Sequence, residues 1–197
     1  MLMFELFWYY VKLGLLHVLD VNAYDHVIYF IVLTIPYTFK DWKKVLGLVT
    51  IFTLGHTLSL LASIYGWITI KSVLVEFLIP LTIVCTAVYN IISAGKSTGN
   101  DRFIIMLFVT MFFGLIHGLG FSNYFKQIIA IEDRKFVPTM EFALGIELAQ
   151  ILVVLVVLSL SWSGSTLLKF SKKEWTLVVS SIVLGLAIPL LIDTFPS

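Results

Sequence analysis

The feature that most constrains this chain is a series of long apolar runs, from near Phe4 to Ile192, interrupted only by short charged turns. A hydrocarbon layer about 30 Å thick is crossed by about 20 apolar residues of α-helix. Inside it, backbone N–H and C=O groups must pair within the segment or around a closed barrel. These runs are too long for barrel strands and do not alternate, so the expected fold is all-α: a polytopic transmembrane helix bundle. Charged residues make up 13% of the chain, against about 25% in a soluble domain. No stretch reads as a separate soluble domain, so residues 1–197 are expected to form one integral membrane domain with about six to seven membrane helices.

Seven segments carry the pattern. The first, about Phe4 to Leu19, includes Glu5 and Lys12, which leaves open whether it spans or is re-entrant. The second, Asp25 to Phe39, is short, and Pro36 sits near its end. The others run about Trp42–Tyr65, Ser72–Ala94, Phe103–Ile129, Thr139–Ser161 and Trp175–Ile192. The loops after the second, fourth and sixth segments hold eight lysines and arginines, and those after the third and fifth hold four. The first set is therefore expected to face the cytoplasm, in a cell's inner (cytoplasmic) membrane, with the C-terminus outside. The N-terminus has no basic region followed by a small-residue cleavage site, so it does not read as a removed signal peptide. A formal net charge of +1 gives no reason to invoke nucleic acid, leaving the lipid bilayer and a metal ion as the expected partners. Cys85 is the single cysteine, which excludes an intrachain disulfide and any multi-thiolate metal site.

The polar residues inside the apolar runs are few. Gly14–Phe30 packs His17, Asp20, Asp25 and His26 into ten residues. Buried charge of this kind costs several kcal/mol unless it is paired, solvated or metal-bound. His56 lies nine residues before the outer end of its segment, about 14 Å deep at 1.5 Å per residue. Glu147 falls at a similar depth, and His117 on the outer side of its own segment. All four histidines thus fall in the outer half of the bilayer. His17 and His26 are expected at an outer mouth, with His56, His117 and Glu147 deeper. Helical spacing pairs Asp25 with Tyr29, Thr53 with His56, and Glu147 with Gln150, and puts Gly118 beside His117 on a face open to close helix approach. Without a ligand, such groups bind helices together, and Asp25 caps a helix. Combined, imidazole and carboxylate suit Ni, Zn, Fe, Co or Mn, a divalent transition metal, rather than Ca or Mg. The candidate metal ligands are His17, Asp25, His26, His56, His117 and Glu147; Asp20, Tyr29, Thr53, Gln150 and Gly118 are candidate supports.

The blocks GLLHVLDVNAYDHVIYFIVL, FTLGHTLSL, GLIHGLGFS and FALGIELAQ resemble the HupE/UreJ group of hydrogenase and urease accessory membrane proteins. The resemblance implies a small polytopic permease-like protein, and some members are associated with nickel uptake. It places the family's first histidine-and-aspartate motif on His17, Asp25 and His26, its later histidine motifs on His56 and His117, and its glutamate motif on Glu147. Ala23-Tyr24 precedes Asp25 where members commonly carry glycine, and the spacer from His17 is longer. Three functions follow in order. The first is transport or handling of a divalent cation such as nickel. The second is a metal-dependent intramembrane enzyme on the same ligands, with Glu147 as general base. The third is a non-catalytic membrane subunit. The balance leans away from an enzyme.

Overall fold

The computed structural model describes residues 2–96, 100–130 and 134–196. Residues 97–99 of the expected polar turn Gly95–Arg102, and the start of the expected loop Glu132–Pro138, lie outside these residues. The structure is 84% helical. Among the described residues there are seven α-helices and no strand: α1 Leu2–Leu19, α2 Asp25–Thr34, α3 Trp42–Ile64, α4 Ser72–Ser93, α5 Asn100–Ile128, α6 Phe136–Leu167 and α7 Lys172–Asp193. A single 3-10 turn, Phe39–Asp41, leads into α3.

Five of the helices, α3 to α7, are long and apolar enough to cross a membrane. The all-α, seven-helix bundle is the expected architecture. With ten residues, α2 rises only about 15 Å, half the hydrocarbon thickness. It stops at Thr34 rather than Phe39 because Pro36 cannot continue the ladder. The carbonyl of Val32 would normally accept from residue 36, which has no N–H. Asn90 of α4 takes its place, donating from Nδ2 to that carbonyl at 2.6 Å. A buried break in a helix is tolerated when a neighbouring side chain satisfies the freed group in this way.

α6 is longer than expected at both ends. Pro138 looked like a boundary, yet it sits in the first turn of α6, where the missing N–H has no intrahelical partner to lose. At the other end Ser161–Leu167 stays helical because α7 packs against it. Trp175 Nε1 donates to Ser161 Oγ at 2.6 Å, and the Trp175 ring lies on Gly164.

Helix pairing explains the interior. α3 packs most extensively on α5, α1 on α6 and α4 on α7, while α2 sits among α4, α6 and α7. The main core joins Ile28, Phe30, Leu33, Leu48, Phe52, Ile83 and Val157 from four different helices. Bundles in lipid have no water-driven force to close them, so close packing carries the association. Two crossings are close enough that a side-chain carbon would overlap backbone. On the α1–α6 crossing, a Cβ on Gly14 would overlap the Phe142 carbonyl oxygen, and one on Gly145 the Val11 carbonyl oxygen. On the α3–α5 crossing, a Cβ on Gly118 would overlap the His56 carbonyl oxygen. His17 lies one turn beyond Gly14, and His117 lies beside Gly118. The two crossings therefore set the histidine geometry.

Candidate metal site

Four helices bring the four histidines together. The rings of His17 (α1) and His26 (α2) have centroids 4.6 Å apart. His56 of α3 lies 5.8 Å from His17 and 6.0 Å from His26, and His117 of α5 lies 5.2 Å from His26. The expected outer mouth and deeper set are thus one layer. The reason is that the α1–α2 turn is recessed: α3 continues eight residues past His56 to Ile64, and α5 eleven past His117 to Ile128. His26, His56 and His117 are buried, and His17 is half-buried beside the exposed turn Asp20–Ala23.

The ring nitrogens lack the partners that buried polar atoms usually have. Nε2 of His17, His26, His56 and His117, and Nδ1 of His56, meet no hydrogen-bond partner among the described residues. Two tautomers follow from the opposite edges. His117 Nδ1 donates to the Phe113 carbonyl at 2.9 Å, and a carbonyl can only accept. His26 Nδ1 lies 3.1 Å from Asp25 Oδ1, again an acceptor. Both rings therefore carry hydrogen on Nδ1 and keep the lone pair on an Nε2 that has no hydrogen-bond partner among the described residues. A carboxylate or carbonyl behind a ligating histidine is the usual way of fixing the ligating nitrogen.

One nitrogen each from His17, His26 and His56 lie within 4.8 Å of one another. Nitrogens bonded at about 2.1 Å to one ion are at most about 4.2 Å apart. Rotamer adjustments of a few tenths of an ångström would bring all three onto one ion. The donor set is nitrogen with one adjacent carboxylate, which suits a borderline transition cation rather than Ca²⁺ or Mg²⁺.

The other expected residues divide. Asp25 begins α2, accepts from the His26 backbone N–H at 2.9 Å, and stands behind the His26 ring. Tyr29 is buried with its ring 5.4 Å from His117. Gly118 admits α3 at the crossing. Asp20 is turned away: its Oδ1 accepts from Asn22 N at 2.9 Å and closes the exposed turn. Glu147 is half-buried on α6 and is not among the clustered ligands. Its Oε1 accepts from Thr50 Oγ1 at 2.7 Å, and its Oε2 is paired with Thr53 Oγ1. Thr53 Oγ1 also lies 2.9 Å from Gln150 Oε1. Thr53 is one turn from His56, so this α3–α6 polar group neighbours the imidazole cluster without entering it.

Three contributors were not anticipated. Thr50 shares the Thr53 face at i−3, and that spacing could have revealed it. Phe121 packs on His17 with centroids 4.0 Å apart and stacks on Phe142 at 5.1 Å, closing the α1 side of the cluster. Nothing distinguishes these two rings in a chain that is 15% aromatic.

Residues 2–192 match the family described as HupE / UreJ protein. The chain belongs to the HupE/UreJ family. No curated protein matches the chain, and no solved structure does. The HupE/UreJ family is associated with nickel and metal handling, and in this member the histidines that carried the resemblance form the cluster.

Proposed function

We propose that this HupE/UreJ protein binds a divalent transition-metal cation, nickel or a similar ion, at the imidazole cluster and passes it across the cytoplasmic membrane. The observation that supports this reading is that four imidazoles from four helices pack together, one nitrogen each of His17, His26 and His56 lying within 4.8 Å of one another, while the Nε2 of all four meets no hydrogen-bond partner among the described residues. Histidines that only tied helices together would point their nitrogens at carbonyls or hydroxyls on neighbouring helices. Here the paired edges, on His26 and His117, bond within their own helices, to Asp25 and to the Phe113 carbonyl, and tie no two helices together.

The cation enters as cargo from the side of the exposed Asp20–Ala23 turn, where His17 and Asp25 are partly open. His17, His26 and His56 would hold it, with His117 beside them. The Asp25 carboxylate adds a compensating charge and orients His26. Conduction requires a site that also lets go. Three neutral imidazoles with one carboxylate behind them form a weaker cage than a multi-thiolate site. Glu147, with Thr50 and Thr53, is the next polar group along α3 and a candidate for the following step. The lysine-rich ends of α4, α6 and α7 face the cytoplasm in this reading, and the C-terminus faces outward.

Elemental analysis of the purified protein and of His56→Ala, alongside uptake into proteoliposomes, tests this. The wild type is expected to bind Ni²⁺ or a similar ion reversibly and to admit it, and His56→Ala to do neither. A metal retained through exchange against external ions would favour an enzyme on the same ligands. No bound ion on titration would end the metal reading.

A further inference from the structure

Two cavities meet at the lysine-rich end of the bundle. One, of about 540 Å³, lies between the end of α2, the end of α4 and the start of α7. Lys96, Lys172 and Lys173 line it, with Asn90 and Thr176 further in, and no acidic side chain lines it among the described residues. The other, of about 470 Å³, is bounded by the Ile35–Lys40 connection, the late turns of α6 and the start of α7. Its walls include Leu158, Trp162, Phe170 and Trp175. Tyr37 and Lys172 belong to both, so the two spaces share a wall.

The lysines are placed by the fold. Gly95, just past α4, has φ +83°, a left-handed conformation suited to glycine. A Cβ there would sit 3.1 Å from Lys173 Cδ, so the Lys173 stem crosses the bare glycine on its way to the cavity beside Lys96. Glu174, the acid next in sequence to Lys173, is engaged elsewhere. Glu174 is turned back on the start of α7, accepting from Ser171 N at 2.8 Å and from Ser171 Oγ at 2.7 Å. None of the three lysines forms an ion pair with a described residue. Three ammonium groups around one recess attract an anion. At the end of a membrane bundle, basic pockets of this kind suit phosphate headgroups.

We propose that this double cavity holds an anionic phospholipid, with its phosphate among Lys96, Lys172 and Lys173 and an acyl chain against the aromatic wall of the second space. A phosphate anion is the shared chemistry of a lipid headgroup and free inorganic phosphate. Free phosphate would use only the first cavity, whereas the apolar space sharing Tyr37 and Lys172 with it matches a diester that carries a tail.

Native mass spectrometry of the full chain, reconstituted with equal phosphatidylglycerol and phosphatidylcholine, tests this directly. The wild type is expected to retain phosphatidylglycerol preferentially. Lys172→Gln and Lys173→Gln should each weaken that preference about fivefold, while Lys172→Arg and Lys173→Arg keep it. Metal binding at the histidine cluster should be unchanged in all four variants, which separates loss of lipid from loss of fold. Equal retention of the two lipids by the wild type would overturn the proposal, as would glutamine variants that retain phosphatidylglycerol like the wild type. Displacement of phosphatidylglycerol by millimolar inorganic phosphate would assign the lysines to a soluble anion and overturn the lipid assignment.

Discussion

Gly118→Ala probes whether the α3–α5 crossing sets the metal geometry. A Cβ at Gly118 would lie 2.8 Å from the carbonyl carbon of His56 and would also overlap its oxygen. Ordinary contact begins near 3.4 Å, so α3 and α5 must part locally by at least about 0.6 Å. Ser59 Oγ, also overlapped, can turn aside, but the His56 carbonyl is backbone and cannot. Overpacking of this kind costs about 1–3 kcal/mol, which lowers Tm by roughly 2–4 °C per kcal/mol in a chain of this size. The metal site is more exacting, since ligand distances hold within about 0.2 Å. A movement three times that tolerance, at the residue carrying one ligand and next to another, should remove most metal binding while the protein stays folded. Gly185→Ala is the matched control: it too is a glycine inside a helix, but its added Cβ meets nothing within 4 Å. It should be neutral or stabilising by up to about 1 kcal/mol. Metal titration and thermal melting of both variants, in the same lipid or detergent, give the comparison. Full metal binding with an unchanged melt in Gly118→Ala would refute the reasoning, because the crossing would then have slack that its geometry denies.

Asp25→Asn keeps an acceptor near His26 but removes the charge; Ni²⁺ affinity should fall about 10–100-fold, measured by competitive titration with secondary structure unchanged. Acid should release the ion, because protons compete for the imidazole lone pairs that bind it; titrations at about pH 7.5 and about pH 5 should show weaker binding at the lower value. Asn90→Leu strips the donor from the Val32 carbonyl and should cost about 1–3 kcal/mol by thermal melting. Adding Pro36→Ala restores an N–H at the position that carbonyl would normally pair with, and should recover part of the loss; no recovery would mean Asn90 acts through packing alone.

The helices were largely legible because the bilayer imposes a strong and simple rule on apolar runs. The five long ones, α3 to α7, stand close to where hydropathy places them. The errors fall where one residue type has two physical meanings. Pro138 looked like a stop but occupies the first turn of α6, where proline is harmless. Pro36 did end its helix, earlier than expected, and the partner that makes this tolerable, Asn90, lies 54 positions away in the chain. The sequence flanking Pro36 carries no sign of it.

The same limit applies to the site. Counting helical rise put four histidines far apart in sequence at comparable heights, and their rings do lie together. It could not show that the α1–α2 turn is recessed, because that depends on how far α3 and α5 extend past His56 and His117. Glu147 shows the complementary error. Depth alone put it with the histidines, whereas its rotation about α6 aims it at Thr50 and Thr53. Axial height follows from counting residues, but rotation follows from which helix face is buried, and α6 is apolar nearly all round. The glycines supply what the titratable residues lack. Gly14 with Gly145, and Gly118 with the His56 turn, are backbone-on-backbone crossings that fix both height and rotation of α1, α3 and α5. The imidazoles supply the chemistry, but three ring nitrogens lie within reach of one ion because small residues let the helices that carry them touch.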